Sequence, residues 1–163
     1  MNSKIFQLVI RIHIKGKSCL DWEIIEKYSK EEYVFVCHAC DDDIIADKIY
    51  NFLQANGIRC WIDHKDGRVG EPWEDYLVPL IKNTDLFILL LSKNSIESED
   101  VKRELSIAFK KKIKILPIIL DSIVLKDRFE YYLTGIQQYF AVKEPIEEHL
   151  NNILQEIFEK IRM

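Results

Sequence analysis

The segment VFVCHACDDD, Val34 to Asp43, concentrates side chains that can do chemistry. Cys37 and Cys40 form a Cys-x-x-Cys pair, His38 lies between them, and three aspartates follow. Such a pair between a strand and a helix is where a thioredoxin-like dithiol would lie, because a helix terminus lowers the pKa of a thiol. Thiolate and imidazole are also zinc ligands. The segment is therefore a redox site, a metal site, or an ordinary junction between a strand and a helix.

The rest of the sequence gives the first two interpretations little support. A structural zinc site takes four ligands, and beyond Cys37, Cys40 and His38 the remaining candidates are scattered. A thioredoxin-like fold needs antiparallel strands and a cis-proline strand, whereas this chain has the pattern of parallel units. We expect no metal and no disulfide framework, and interpret the three aspartates as the cap and first turn of a helix. The dithiol function stays open as an alternative.

The bulk composition limits the function classes. A chain of 163 residues with 48% hydrophobic residues fits one domain with a packed core. The net charge of -4, with acidic and basic residues interleaved, gives no footprint for nucleic acid. The longest apolar runs, such as LFILLL, are too short for a bilayer span. The sequence predicts a soluble, cytoplasmic protein without nucleic-acid or membrane partners.

From Tyr33 onward, short apolar runs alternate with segments of helical period, which predicts an α/β fold. Repeated strand-helix units imply right-handed crossovers, a parallel central sheet of about five strands flanked by helices, and functional loops at the carboxyl ends of the strands. The predicted strands are YVFVC, IRCWID, LFILLL, IKILPIIL and YFAV. The predicted helices have apolar stripes starting at Ile45, Trp73, Val101 and Ile146, and a less regular stretch contains Phe129 to Leu133.

Residues 1–30 do not follow this rhythm. Alternating apolar and polar residues from Phe6 to Ile14 predict a half-buried strand, and LDWEIIEKY predicts a short helix. We treat 1–30 as an N-terminal extension and 31–163 as the main domain. The extension is either an edge strand with a packing helix or an oligomerisation arm.

Four motifs, in order, resemble the Toll/interleukin-1 receptor (TIR) domain family. YVFVCHACDDD resembles its opening strand and loop, CWIDHKDGRVGEPWEDYL its second strand and following loop, LFILLLSKNSIESEDVKREL the strand and helix that carry a Glu-Leu pair, and ILPIIL its fourth strand. The resemblance covers about Tyr33 to Lys160 and implies a flavodoxin-like three-layer fold. Within that family, the chain resembles the NAD-cleaving TIR proteins of the prokaryotic type.

The resemblance implies either of two functions, because the fold alone does not choose between them. One is an NAD+ glycohydrolase, with or without cyclisation of ADP-ribose, that acts as an immune or cell-suicide effector such as an antiphage system. The other is a non-enzymatic scaffold that signals through TIR-TIR association. Both imply self-association through the loop DGRVGEPW and activation by a sensor domain or partner protein, and NAD+ enters as substrate rather than as a cofactor.

The resemblance also assigns site residues. Glu104 takes the catalytic position, because cleavage of a nicotinamide riboside needs no leaving-group acid and one carboxylate can stabilise the oxocarbenium-like ribose. The residues implied to line the nucleotide site are Cys37, His38, Ala39, Gly70, Trp73 and Asp100. Asp100 is a departure, since many NAD-cleaving members have tryptophan four residues before the glutamate. A second carboxylate there is expected to raise the pKa of Glu104 or to weaken the enzyme.

Overall fold

The computed structural model describes residues 33–66, 73–143 and 145–162. The predicted N-terminal strand and helix, the boundary near residue 30 and Gly70 lie outside these ranges. Within the described ranges, no helix combines the length and apolarity needed to cross a membrane.

Five parallel strands form one sheet in the order β2-β1-β3-β4-β5. The strands are β1 (Val34–Cys37), β2 (Cys60–Trp61), β3 (Leu86–Leu91), β4 (Ile115–Ile119) and β5 (Tyr139–Phe140). The helices are α1 (Asp43–Ala55), α2 (Asp63–Asp66), α3 (Trp73–Asn83), α4 (Lys93–Glu97), α5 (Glu99–Lys110), α6 (Asp127–Leu133) and α7 (Ile146–Arg162), and a 3-10 turn spans Cys40–Asp42. The predicted α/β fold is confirmed.

Helices cover both faces of the sheet, which makes three layers. Alternation along β1 turns Val34 and Val36 toward the cluster that contains α1 and α7. Phe35 and Cys37 point to the opposite face, where α3, α5 and α6 pack. All six residues of β3 are buried, as expected of a central parallel strand covered on both faces. This arrangement is the flavodoxin-like fold that the resemblance implied, and it places α5 against the carboxyl end of β1.

The second predicted strand is shorter than its apolar pattern indicated. Only Cys60–Trp61 pair with β1, and β2 is the outermost of the described strands, with a partner on one side. The chain then turns into α2, where the Lys65 N–H donates to the Ile62 carbonyl. Asp127–Leu133 is a regular helix where the sequence indicated a less regular stretch.

Candidate functional site

Helix α5 sets the position of Glu104. The Ser98 hydroxyl accepts a hydrogen bond from the Val101 N–H at 3.3 Å, which caps the helix at its first turn. Val101 and Ala108, three residues before and four residues after Glu104, are fully buried against the sheet. Because residues at these spacings share a helical face, Glu104 points inward with them and is only 7% exposed. The carboxylate that the resemblance assigns to catalysis is therefore buried.

The Glu104 carboxyl group meets the end of β1 through a hydrogen bond with Cys37. Burial raises the pKa of Glu104 from 4.5 to about 8, and the Cys37 hydrogen bond opposes part of that rise. The pKa of the Cys37 thiol is raised well above its ordinary value, first by burial and then by the Glu104 charge. The pair is therefore a thiol donor facing a carboxyl group whose ionisation is disfavoured.

Two further acids contribute to the raised pKa of Glu104. After burial, the negative charges of Asp63 and Asp100 both raise it, with Asp63 the larger of the two. The effect expected of Asp100 is thus present but secondary. The Asp100 side chain is 67% exposed and pairs with Arg103 at 2.9 Å, so it faces solvent one turn before Glu104.

The structure places the other predicted site residues in different environments. His38 follows β1 directly, and its Nε2 lies 2.8 Å from the Asp43 Oδ1. Ala39 is buried in the same core cluster as Cys37, which leaves its side chain little area for a ligand. Trp73 is the first residue of α3, and its side chain is outside the part of the chain that the structure describes. Gly70 lies outside the described residues. The structure thus joins Cys37 and Glu104, with His38 next in the chain.

The geometry of Cys37 argues against the dithiol alternative. An attacking thiol needs exposure and a lowered pKa. Cys37 is buried with a raised pKa, and Cys40 is exposed in the 3-10 turn; both are free thiols. Cys37 therefore acts as a hydrogen-bond donor to Glu104.

Sequence reasoning missed the role of Asp42. It occupies the N-cap position of α1 with Asp43 in the first turn, as the sequence predicted, but the Asp42 side chain makes no capping bond. Instead the buried carboxylate accepts hydrogen bonds from the Ser92 hydroxyl and from the Asn94 side-chain amide. Ser92 and Asn94 follow β3, the strand next to β1, and a contact across fifty residues leaves no local sequence signal. The Asp-Asp-Asp run could only suggest a polar junction.

Sequence reasoning also missed the neighbours of His38. Candidate metal ligands that are scattered in the sequence are partly brought together in space, because Asp43 and His64 both lie beside His38. His64 is 26 positions along the chain, in α2, and the pairing of β1 with β2 brings the two segments together.

Comparison with known proteins identifies the relatives of this fold. Residues 34–154 match the family described as TIR domain. No match was found among curated proteins. The fold is similar to the TIR domain of the Toll-related receptor TRR-2 from Hydra magnipapillata, with a TM-score of 0.65 at 18% identity, covering 80% of this chain and 98% of that chain.

Two further solved structures are similar. A metazoan TIR-STING receptor from C. gigas, in complex with 2',3'-cGAMP, matches with a TM-score of 0.64 at 22% identity, over 76% of this chain and 38% of that chain. The heterodimer of the RPS4 and RRS1 TIR domains matches with a TM-score of 0.61 at 12% identity, over 82% of this chain and 100% of that chain. At these identities the likeness concerns the fold.

Proposed function

Because the chain belongs to the TIR domain family, we propose that it is an NAD+ glycohydrolase that becomes active when copies assemble. It cleaves the nicotinamide-ribose bond and serves as the effector of an immune or cell-suicide response. The observation that carries this proposal is the burial of Glu104 against Cys37, at the carboxyl end of a parallel strand. Ligands of open α/β sheets bind at that end of the strands.

The surroundings of Glu104 are costly for folding. Burial removes the carboxyl group from water, and Asp63 and Asp100 are charged neighbours, so its ionisation in the unliganded protein is unfavourable. Perturbed groups of this kind concentrate at functional sites. A cation brought beside Glu104 would reverse the balance, because a desolvated carboxylate interacts strongly with a nearby positive charge.

NAD+ supplies such a cation. Its nicotinamide ring is positively charged, and the C–N bond to ribose breaks with both electrons moving to the ring, which leaves as neutral nicotinamide. Positive charge passes to the ribose, where the Glu104 carboxylate stabilises the oxocarbenium-like transition state. Water then adds to the ribose carbon and releases a proton, giving ADP-ribose. Attack on that carbon by the adenine of the same ADP-ribosyl group, in place of water, would give a cyclic product.

The test is loss of NAD+, measured by chromatography at high protein concentration with and without a crowding agent. Glu104→Gln keeps the size of the side chain and should lower the rate at least ~100-fold. Glu99→Gln is a matched control on the same helix, because Glu99 is exposed and pairs with Lys102; it should stay within about twofold of wild type. Equal NAD+ loss in wild type and Glu104→Gln would contradict the assignment.

One observation favours a non-enzymatic scaffold as the second candidate. Asp100 stands where many NAD-cleaving relatives have a tryptophan, and it is exposed and paired with Arg103, so this stacking surface is lacking. The RPS4 and RRS1 TIR domains were solved as a heterodimer. If wild type leaves NAD+ intact under all assembly conditions, yet binds other TIR domains equally well with and without Glu104→Gln, the scaffold function is correct.

A further inference from the structure

Three side chains with metal-binding atoms lie together beside the end of β1. They are His38 after β1, Asp43 at the start of α1 and His64 in α2, and one ligand atom from each lies within 4.8 Å of the other two. The His38 Nε2 is 2.8 Å from the Asp43 Oδ1, and the His64 Nδ1 is 3.6 Å from that same oxygen. The two imidazole rings meet edge to face, with centroids 5.0 Å apart.

A fourth residue orients His64 in the way that metal-binding histidines require. The His64 Nε2 lies 2.7 Å from the Asp47 Oδ1, and the Lys65 ammonium group holds that same oxygen at 2.9 Å. Ligand histidines commonly direct their second ring nitrogen to a carboxylate, which fixes the tautomer and the ring. With Nε2 bonded to Asp47, the free electron pair of His64 falls on Nδ1, the nitrogen that faces Asp43.

We propose that His38, Asp43 and His64 bind a divalent first-row transition-metal ion, with Zn²⁺ the best match. Two imidazoles and one carboxylate suit such an ion and disfavour Mg²⁺ or Ca²⁺, which take oxygen ligands. Tetrahedral zinc holds neighbouring ligand atoms about 3.3 Å apart. The His38 and His64 distances to Asp43 lie on either side of that value, so small side-chain rotations complete three corners, and water takes the fourth.

The site is accessible to solvent. The His38 side chain is only 6% exposed, whereas those of His64 and Asp43 are 28% and 44% exposed, so an ion reaches His38 past these two residues. Bound there, the ion joins the segment after β1 to α2, two segments that the pairing of Phe35 with Trp61 already brings close together. This inference concerns residues other than Glu104 and does not depend on NAD+ cleavage.

Titration of the chelator-treated full chain with Zn²⁺ tests the proposal by calorimetry, and Co²⁺ serves as a spectroscopic probe. Wild type should bind one ion per chain with the visible absorption of tetrahedral cobalt. His64→Gln and Asp43→Asn should each weaken binding at least ~100-fold, and Asp47→Asn, which removes only the orienting carboxylate, about 10- to 100-fold.

Cys40→Ser is the matched control, because Cys40 is an exposed thiol near the same segment. It should bind Zn²⁺ as wild type does. Loss of binding in Cys40→Ser, or a thiolate-to-cobalt charge-transfer band, would overturn the proposal, as would unchanged affinity in His64→Gln. Absence of stoichiometric binding in wild type would mean that the cluster is a metal-free hydrogen-bond network. Thermal unfolding checks that each variant is folded, and added Zn²⁺ should raise the unfolding midpoint of wild type but not of His64→Gln.

Discussion

The carboxyl group of Glu104 is buried where burial opposes its ionisation, and the pKa near 8 has a kinetic consequence. Under the proposed mechanism the ionised form is needed, so kcat/KM for NAD+ should rise with pH and level off above about pH 8. The limb in kcat should lie at lower pH, because the bound nicotinamide cation lowers the pKa of Glu104. Initial rates at low and saturating NAD+ measure both, and a flat kcat/KM profile would contradict the prediction.

Because of the same raised pKa, Glu104 lowers the free energy of unfolding by an amount that depends on pH. Below pH 4.5 the carboxyl group is protonated in both the folded and the unfolded chain. Between that pH and about 8 the unfolded chain ionises it while the folded chain keeps the proton, so the free energy of unfolding falls as pH rises. Glu104→Gln should therefore be more stable than wild type by roughly 1–3 kcal/mol at alkaline pH, with the difference vanishing in acid. Denaturant unfolding across pH measures this, and a constant difference would exclude the explanation.

Cys37 tunes Glu104 through one hydrogen bond. Cys37→Ala removes the donor that favours the charged carboxylate, so the pH limb of kcat/KM should move to higher pH. Cys37→Ser keeps a donor at the same place and is the matched control, with its limb at or below the wild-type position. A shared shift in both variants would mean that packing rather than the hydrogen bond sets the pKa.

At the scale of elements, Asp42 ties the segment after β1 to the segment after β3. Its buried carboxylate accepts from the Ser92 hydroxyl and from the Asn94 amide at 2.9 Å. Asp42→Ala leaves both donors without this acceptor and should lower the free energy of unfolding by roughly 2–4 kcal/mol. Asp41 is exposed in the same turn, so Asp41→Ala is a control that should stay within about 0.5 kcal/mol of wild type. Equal stability of the two variants in denaturant unfolding would contradict the assignment.

How far the sequence predicts these elements depends on the distance over which each residue acts. The segment Leu86 to Leu91 predicts a central strand buried on both faces because every one of its residues is apolar. The motif around Glu104 predicts its helix and its neighbours, but the burial depends on how α5 lies against β1. The contacts of Asp42 with Ser92 and of His38 with His64 arise from strand order, which composition and periodicity do not encode.

At the scale of the whole molecule, we propose that the enzyme needs a second copy, because the resemblance to NAD-cleaving TIR domains implies that the loop after β2 completes a neighbour's site. Gly70→Asp should disable that loop and Glu104→Gln the catalytic group, so each variant alone should be inactive. Mixed in equal amounts, a site is restored wherever an intact Glu104 meets an intact loop, which random assembly achieves in roughly a quarter of contacts. NAD+ loss in the mixture measures this recovery; no recovery, with co-assembly shown by sedimentation, would mean that each site lies within one chain.

The outer described strands, β2 and β5, are each two residues long. Cys60–Trp61 and Tyr139–Phe140 therefore present few backbone donors and acceptors to another molecule. A neighbouring molecule that added a strand there would form few hydrogen bonds, whereas long unpaired edge strands favour cross-β aggregation. Any assembly of copies of this protein should accordingly form through side-chain surfaces and leave thioflavin fluorescence unchanged.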